Sequence, residues 1–493
     1  MYLTDPATII LSIATCFFLA IIFYGQKKKV HPNYPPGPPT LPIIGNMHMI
    51  NMKKPYLTFY ELAKKYGPVY SLQIGLQKMV VLSGYETVKD ALVNHAEVFA
   101  DRPHIPLFSE LTKEKGLLFS NGDIWRVMRR FTFSALRDFR MGSKMIEDKI
   151  TEECRCLVNT FKAYGGKPFE NSTVVTTAVA NIIVSIVLGN RLDYDDPTLC
   201  RLVTNIRENI RIIGSPMVQL YNTFPSLFRL FLGSNKEIYT NLAEMQEFVT
   251  KTITNQKKKL DVNDQRSLID AFLVKQKEEK PNPKLHFTDV NLVFLVSDIF
   301  AAGMESTSTV LRWGLLLMAK YPEIQKNVQN EIERVIGSGE PCLMHRKQMP
   351  YTDAVIHEIL RFGNIAPTGV PHYTSQDVTI KEFFIPKGTS VMTLLYSVLK
   401  DKKYFEKPDE FYPQHFLDSD GNFVKNEALL SFSAGKRSCV GENLAKMKLF
   451  LFFTTLLQNF TFQAPPGATL DLTGDAGFTI APLKHEICAI PRN

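Results

Sequence analysis

The spacing of apolar and polar positions divides the chain into unequal parts. Residues 7–24, ATIILSIATCFFLAIIFY, run without a charge. At the rise of an α-helix such a run spans about 27 Å, close to the hydrocarbon thickness of a bilayer. Asp5 stands before it and Lys27, Lys28 and Lys29 follow it, the reverse of a cleaved signal peptide. Residues 1–24 are therefore expected to form a single N-terminal transmembrane anchor, with the rest of the chain in the cytoplasm. The alternative is a core helix at the terminus. Residues 25–50 turn basic and then proline-rich, with Pro32, Pro35, Pro36, Pro38, Pro39 and Pro42. Prolines this dense exclude a helix and favour stiff extended chain, so the segment reads as a linker, with a polyproline ligand as the rival.

Beyond the linker, residues 69–74 and 78–82 have the short pattern of strands, and long amphipathic helical periods fill residues 86–361. Strand patterns return at 378–380 and 389–394, and a last helix is expected over 442–458. Residues 288–320 form a long apolar helix that stops before Pro322. The fold class is mainly α with a smaller β region, in one body over residues 51–493. No internal repeat is present, and the lysine-rich patches at 257–259 and 275–284 read as solvated helix ends or loops.

Composition narrows the class. With 45% hydrophobic and 22% charged residues in 493, the chain is globular, which excludes disorder, collagen-like repeats and a pure coiled coil. Lys+Arg 57 against Asp+Glu 49 leaves +8, an excess that suits an acidic partner or an anionic membrane and is too diffuse to argue for nucleic acid. The seven cysteines include no C-x-x-C pair, which fits neither a disulfide framework nor a zinc site and points to a reducing compartment. No G-x-G-x-x-G fingerprint and no P-loop is found, so the chain has no dinucleotide site of its own in the sequence.

The sharpest chemical signal is FSAGKRSCVG at residues 432–441. Gly435 and Gly441 let the backbone turn tightly and approach a bulky group, Phe432 and Val440 can pack on its apolar face, and Arg437 supplies a cation. Cys439 is expected at the start of the last helix, where free N–H groups and the helix dipole favour the thiolate, the form that binds metal or attacks carbon. Five defined positions in ten would arise by chance in such a chain with a probability on the order of one in ten thousand, at residue frequencies of about 5%.

This loop resembles the haem-thiolate loop of the cytochrome P450 superfamily, and the likeness extends over the whole chain. It is nearest the microsomal vertebrate family 2 enzymes, echoed in PPGPP, LPIIGN and FYPQHFLD. The resemblance implies the cytochrome P450 fold and haem b, with Cys439 as the axial thiolate on iron. It implies O2 as co-substrate and NADPH electrons delivered by a partner, NADPH–cytochrome P450 reductase, with cytochrome b5 as a second donor. The implied activity is a monooxygenase that hydroxylates or epoxidises lipophilic small molecules (fatty acids, xenobiotics or steroids) at the endoplasmic reticulum membrane. Two other classes stay open: a haem-thiolate isomerase or dehydratase that needs no reductase, and a non-catalytic haem or steroid binding protein.

The resemblance also assigns residues. Arg102 in ADRP, Trp125 and Arg129 in W-x-x-x-R, Ala302, His372 in GVPH, and Phe432, Arg437, Cys439 and Gly441 match haem-binding positions. Glu358 and Arg361, three apart on a helix, match the superfamily's structural pair, with His415 as third member; Glu-x-x-Arg also occurs at Glu152/Arg155, Glu208/Arg211 and Glu331/Arg334, so it is the flanking sequence that selects this one. In AAGMESTST, Glu305 matches the acid of the oxygen-activating acid–alcohol pair. The chain departs from the usual Thr by placing Ser306 next, with Thr307 after it; the rival reading is that these hydroxyls bond back to the preceding turn. Substrate-contact regions map onto Leu118, Phe119, Phe300, Ala301, Ala302, Ala366, Val370 and Phe478, all uncharged, which favours a lipophilic ligand. Arg126, Arg129, Arg130, Arg137 and Arg140 fall within about 100° of one another at helical spacing. With Arg129 turned inward to haem, Arg126, Arg130 and Arg137, together with Lys436, form the expected reductase face.

Overall fold

The computed structural model describes residues 5–25, 31–141, 144–228, 236–279 and 286–492. The first two strands form as Val69–Ile74 and Gln77–Ser83, antiparallel, with Val69 opposite Leu82. Gln77–Ser83 pairs in parallel with Ser390–Leu394, whose other edge holds His372–Tyr373 antiparallel. Val80, Val81, Leu82 and Val391 are fully buried, so this sheet carries residue 372 into the interior. Tyr373 N–H donates to the Asp101 carbonyl at 2.8 Å, which sets Arg102 beside the sheet edge. A second sheet joins Phe460–Gln463, Glu486–Pro491 and Phe169–Glu170. Two hairpins, Val378–Ile380 with Phe383–Ile385 and Gly474–Ala476 with Ile480–Pro482, complete the β region.

Helices make up most of the body. The central helix Asp289–Lys320 starts where Thr288 accepts the Asn291 N–H on its side chain, a cap that satisfies one orphan donor of the first turn. It packs against Ser172–Leu188, a helix buried on nearly every face because its sequence is apolar all round. The last helix is Glu442–Asn459. Beneath these elements Glu358 and Arg361 form a bidentate pair (2.7 and 2.6 Å) with no exposure to solvent. Arg361 also donates to the carbonyls of Leu399, Pro408 and Glu410, and Glu358 accepts from Tyr412 N–H and His415 Nδ1. His415 Nε2 accepts the Lys407 N–H, which assigns the donor role to Nδ1. A buried ion pair is tolerable only when its remaining donors and acceptors are satisfied, and here they tie down residues 399–412.

The N-terminal helix Pro6–Gly25 has Ile10, Leu11, Phe17 and Phe18 exposed, so it is not a core helix of this body. Lys27, Lys28 and Lys29 lie outside the described residues. Among the described residues the helix long and apolar enough to cross a membrane is Asp289–Lys320, and its burial makes it part of the core. The proline-rich stretch is extended but does not stand apart: Ser71 donates its N–H to the Pro36 carbonyl at 2.7 Å, and Asn46 bridges Pro39 to Gln73. From Pro35 onward the expected linker belongs to the body.

Candidate active site

The thiol loop is shaped by close backbone approach. Gly435 has φ +70°, and a Cβ there would sit 1.7 Å from the Leu92 carbonyl oxygen, so no other residue fits. Gly441 has φ −92° and ordinary space around it, so its turn places no such demand. Cys439 N–H donates to the Phe432 carbonyl at 2.9 Å and closes the loop. The helix begins at Glu442, as expected, with Gly441 as N-cap, and Cys439 stands just before it. Burial pushes its thiol up from the ordinary range, while the Gly441 N–H, Arg129 and Lys448 act in the opposite direction. The thiol carries accessible surface although protein encloses it, unlike the buried Cys154 and Cys488: it faces an internal cavity. All seven cysteines are free.

A cluster of cations lines the same region. On the helix Gly122–Met141, Trp125, Met128, Thr132 and Ala135 form the buried stripe, and Arg129 reaches inward to donate to the Ser438 carbonyl at 2.7 Å. The Arg437 guanidinium lies over the Trp125 ring, 4.0 Å from its centroid, and donates to the carbonyls of Ala100 and Ser120. Arg102 donates to Val370 and Pro371 carbonyls. Burial and mutual repulsion pull Arg437 down to about 8 and Arg102 down to about 9, with Asp101 as the opposing carboxylate at Arg437. Arginine keeps its proton in proteins, so this pressure calls for an anion, not for deprotonation. His372 donates Nδ1–H to the Phe99 carbonyl at 2.7 Å and is held neutral, with its pKa lowered to about 3 by burial and by the Arg102 and Arg437 charges. A thiol facing a cavity rimmed by three guanidinium groups fits a large apolar ring with two carboxylates and a thiolate-seeking metal.

Across from the loop, the central helix shows Ala302 to the cavity while Phe300 and Met304 are buried. Ser306 donates its hydroxyl to the Ala302 carbonyl at 2.7 Å, one turn back. Thr307 points elsewhere, at 2% exposure. Glu305 is half-buried, and its Oε1 accepts from Thr309 (3.3 Å) and Thr479 (3.1 Å). Leu118, Ala301, Ala366 and Val370 are partly accessible, and Phe119 stacks on Phe108 at 4.0 Å. Phe478 stands at the tip of the late hairpin, 44% exposed. Phe300 is set apart from this group, at 1% exposure inside the helical core. A cleft of about 260 Å³ lined by Asp101, Arg102, His104, Phe108, Phe119 and Tyr373 shares Arg102 and Phe119 with this region and does not include Cys439.

Three polar residues here escape sequence reading. Asp298 accepts the N–H groups of Leu117 and Leu118 (2.7 and 3.0 Å), Lys448 donates to the Gly303 carbonyl at 3.0 Å from a fully buried position, and Thr479 holds Glu305. Asp298 and Lys448 carry a signal, a charge inside an apolar helical run; Thr479 carries none. On the outer face of Gly122–Met141, Arg126, Arg130 and Arg137 are exposed, Arg126 beside Asp123 at 3.0 Å. The side chain of Arg140 lies outside the described residues. Lys436 is paired with Glu97.

The family model for Cytochrome P450 matches residues 35–489. The chain is 47% identical over 488 residues to cytochrome P450 2K1 of Oncorhynchus mykiss, covering 97% of both. It is 44% identical over 490 residues to cytochrome P450 2C5 of Oryctolagus cuniculus (99% of this chain, 100% of that one) and 42% identical over 486 residues to cytochrome P450 2C8 of Homo sapiens (98% and 99%). Likeness of this depth runs through both walls of the cavity, and the chain belongs to the cytochrome P450 family, among its family 2 haem-thiolate monooxygenases of lipophilic molecules, which use O2 and NADPH electrons passed through a reductase.

Proposed function

We propose that Cys439 is the axial ligand of haem b and that Arg102, Trp125, Arg129 and Arg437 hold the carboxylates of the ring. The observation that carries this reading is the guanidinium cluster: among the described residues Arg102, Arg129 and Arg437 make no ion pair, and Asp101 alone opposes the charge of Arg437, around a cavity that the thiol faces. His372 would meet a carboxylate as the imidazolium, the form an anion beside it favours. Phe432, Gly441 and Ala302 offer the ring apolar or unobstructed surface. Bound there, haem supplies oxygen activation, with the thiolate favouring O–O cleavage.

The protein's own groups manage protons and water. Glu305 is the acid, and Ser306 Oγ, whose O–H now donates to the Ala302 carbonyl, turns that O–H toward the cavity, gives up its proton there and takes a replacement on a free lone pair. Leu118, Phe119, Ala301, Ala366, Val370 and Phe478 exclude water and select an uncharged, lipophilic substrate. Arg126, Arg130, Arg137 and Lys436 steer the reductase, and cytochrome b5 shares that face. Residues 1–24 anchor the protein in the endoplasmic reticulum membrane and residues 25–34 lead to a cytoplasmic body.

The test is Cys439→His in the full chain. The variant retains part of its haem but loses the long-wavelength Soret band of the ferrous carbonyl complex that thiolate ligation produces. Persistence of that band would overturn the ligand assignment.

A further inference from the structure

The late hairpin joins the substrate side of the cavity to the acid. Its base is fixed on the central helix and its neighbours: Trp313 Nε1 donates to the Ile480 carbonyl at 3.0 Å, Ile480 N–H to the Ile365 carbonyl at 2.9 Å, and Arg312 to the Pro482 carbonyl at 3.3 Å. Its tip is not fixed in that way. Phe478 is half exposed, 6.4 Å from the Phe108 ring, and the tip backbone packs against Gly214 just after the helix Pro197–Ile213. A Cβ on Gly214 would lie 2.8 Å from Phe478 N, so tip and helix end touch directly. Thr479 is the first residue between the exposed aromatic tip and the anchored strand, and its hydroxyl donates to Glu305 Oε1. Glu305 Oε2 makes no hydrogen bond among the described residues, so one oxygen of the acid is held and the other is not.

We propose that Thr479 is a positioning residue for Glu305: in the substrate-free enzyme it parks the carboxylate against the substrate turn, and a lipophilic molecule pressing on Phe478 releases it toward the oxygen side. The proposal rests on the reading of Glu305 as the acid. A hydrogen bond at 3.1 Å to an exposed-tip residue is weak enough to be exchanged for contacts that a bound ligand makes. Holding the acid until the pocket is filled suppresses the futile reaction O2 + NADPH + H⁺ → H2O2 + NADP⁺, in which NADPH is oxidised and oxygen takes two electrons with no substrate to receive an oxygen atom.

Thr479→Val keeps the shape and removes the donor. In the full-chain holoenzyme with reductase and NADPH and no substrate, it should raise peroxide formation at least threefold, Thr479→Ser should return it to the parent rate, and the rise should vanish in a Glu305→Gln background. Thermal unfolding of the same proteins gives a readout independent of turnover: Thr479→Val should lower the melting midpoint in the parent and leave it unchanged once Glu305→Leu has removed the acceptor. Equal midpoint losses in both backgrounds overturn the contact and with it the proposal, leaving the acid reading intact. Thermal coupling with an unchanged peroxide rate overturns the gate as well. Glu305→Gln alone then judges the acid, because it slows NADPH oxidation only if Glu305 delivers protons.

Discussion

At Ser306 the chain replaces a threonine-like alcohol with a smaller one, and the geometry decides which hydroxyl matters. Ser306 lies one turn from cavity-facing Ala302, whereas Thr307 is buried on another face. Ser306→Ala should keep haem and substrate binding and continue to consume NADPH, with product per NADPH falling several-fold and peroxide rising to match. Thr307→Ala should leave that ratio near the parent value, and Ser306→Thr should match or improve it, because the β-branched side chain occupies fewer rotamers. Product and peroxide measured in one reaction test all three; uncoupling by Thr307→Ala alone would move the alcohol role to Thr307. Asp298 makes a different prediction. Burial raises its carboxyl to about 6 in spite of the two backbone donors it accepts. The folded state then keeps a proton that the unfolded chain releases between pH about 4 and about 6, so this group's contribution to stability declines as pH rises through that window. Asp298→Asn should remove that slope, so that relative to the parent it fares better at about pH 7, where the parent holds an ionised buried carboxyl, than at about pH 5, where the altered bonds to Leu117 and Leu118 weigh more, measured as denaturant midpoints of the holoenzyme at the two pH values. Residues of this kind mark the edge of what sequence conveys. Cys439 and Arg437 stand in a motif dense enough to be read directly, and the inward turn of Arg129 follows from helical spacing. Thr479 could not be read, because its partner lies 174 residues away in sequence and its type is ordinary at a turn.

The helix Gly122–Met141 has two unlike faces, one buried stripe and one exposed row of arginines. Periodicity alone separates the two, which is why this element was legible. Charge reversal on the outer face, Arg126→Glu or Arg130→Glu, should raise the reductase concentration needed for half-maximal rate several-fold and flatten its salt dependence, while peroxide-supported turnover changes little. The Arg126–Asp123 contact is exposed and contributes little to stability, so loss of fold is not expected. Equal losses in both assays would point to a damaged haem pocket. Other elements were legible in part. Val69–Ile74 and Val378–Ile380 form at the expected residues, and the last helix extends to Asn459. The strand His372–Tyr373 and the hairpin Gly474–Ala476 with Ile480–Pro482 were missed, since two or three residues carry no period and pairing alone makes them strands. Cys439 stands three residues before the last helix, whose start at Glu442 is the expected one, because Ser438 and the Gly435 turn hold the loop in non-helical backbone up to the Gly441 cap.

The molecule as a whole sets an apolar N-terminal helix outside a body with its own core. Removing residues 1–24 should shift much of the protein from the membrane to the soluble fraction with haem retained, read by fractionation and absorbance; exposed apolar side chains such as Leu41, Ile43 and Leu76 leave a residual membrane-bound share. In cells, Asn459 should carry no glycan if the body faces the cytoplasm, and a glycan there would overturn that orientation. Asn171, buried in the folded body, should stay bare for the same reason, and a glycan added there before folding would overturn the orientation equally. One contact described above also orders events in time. Arg437 donates to the carbonyls of Ala100 and Ser120 across more than 300 residues, and Gly435 fits against Leu92. Translation delivers Arg102 and Arg129 more than 300 residues before Arg437 and Cys439. A nascent chain therefore holds the Arg102 and Arg129 charges without the counterpart loop while those 300 residues are made. A chain stopped just short of residue 439 would lack the thiol and also the helix Glu442–Asn459, whose Phe450, Phe452 and Leu457 sit in the main core, so the loop that closes the site and the element that completes the core are made together.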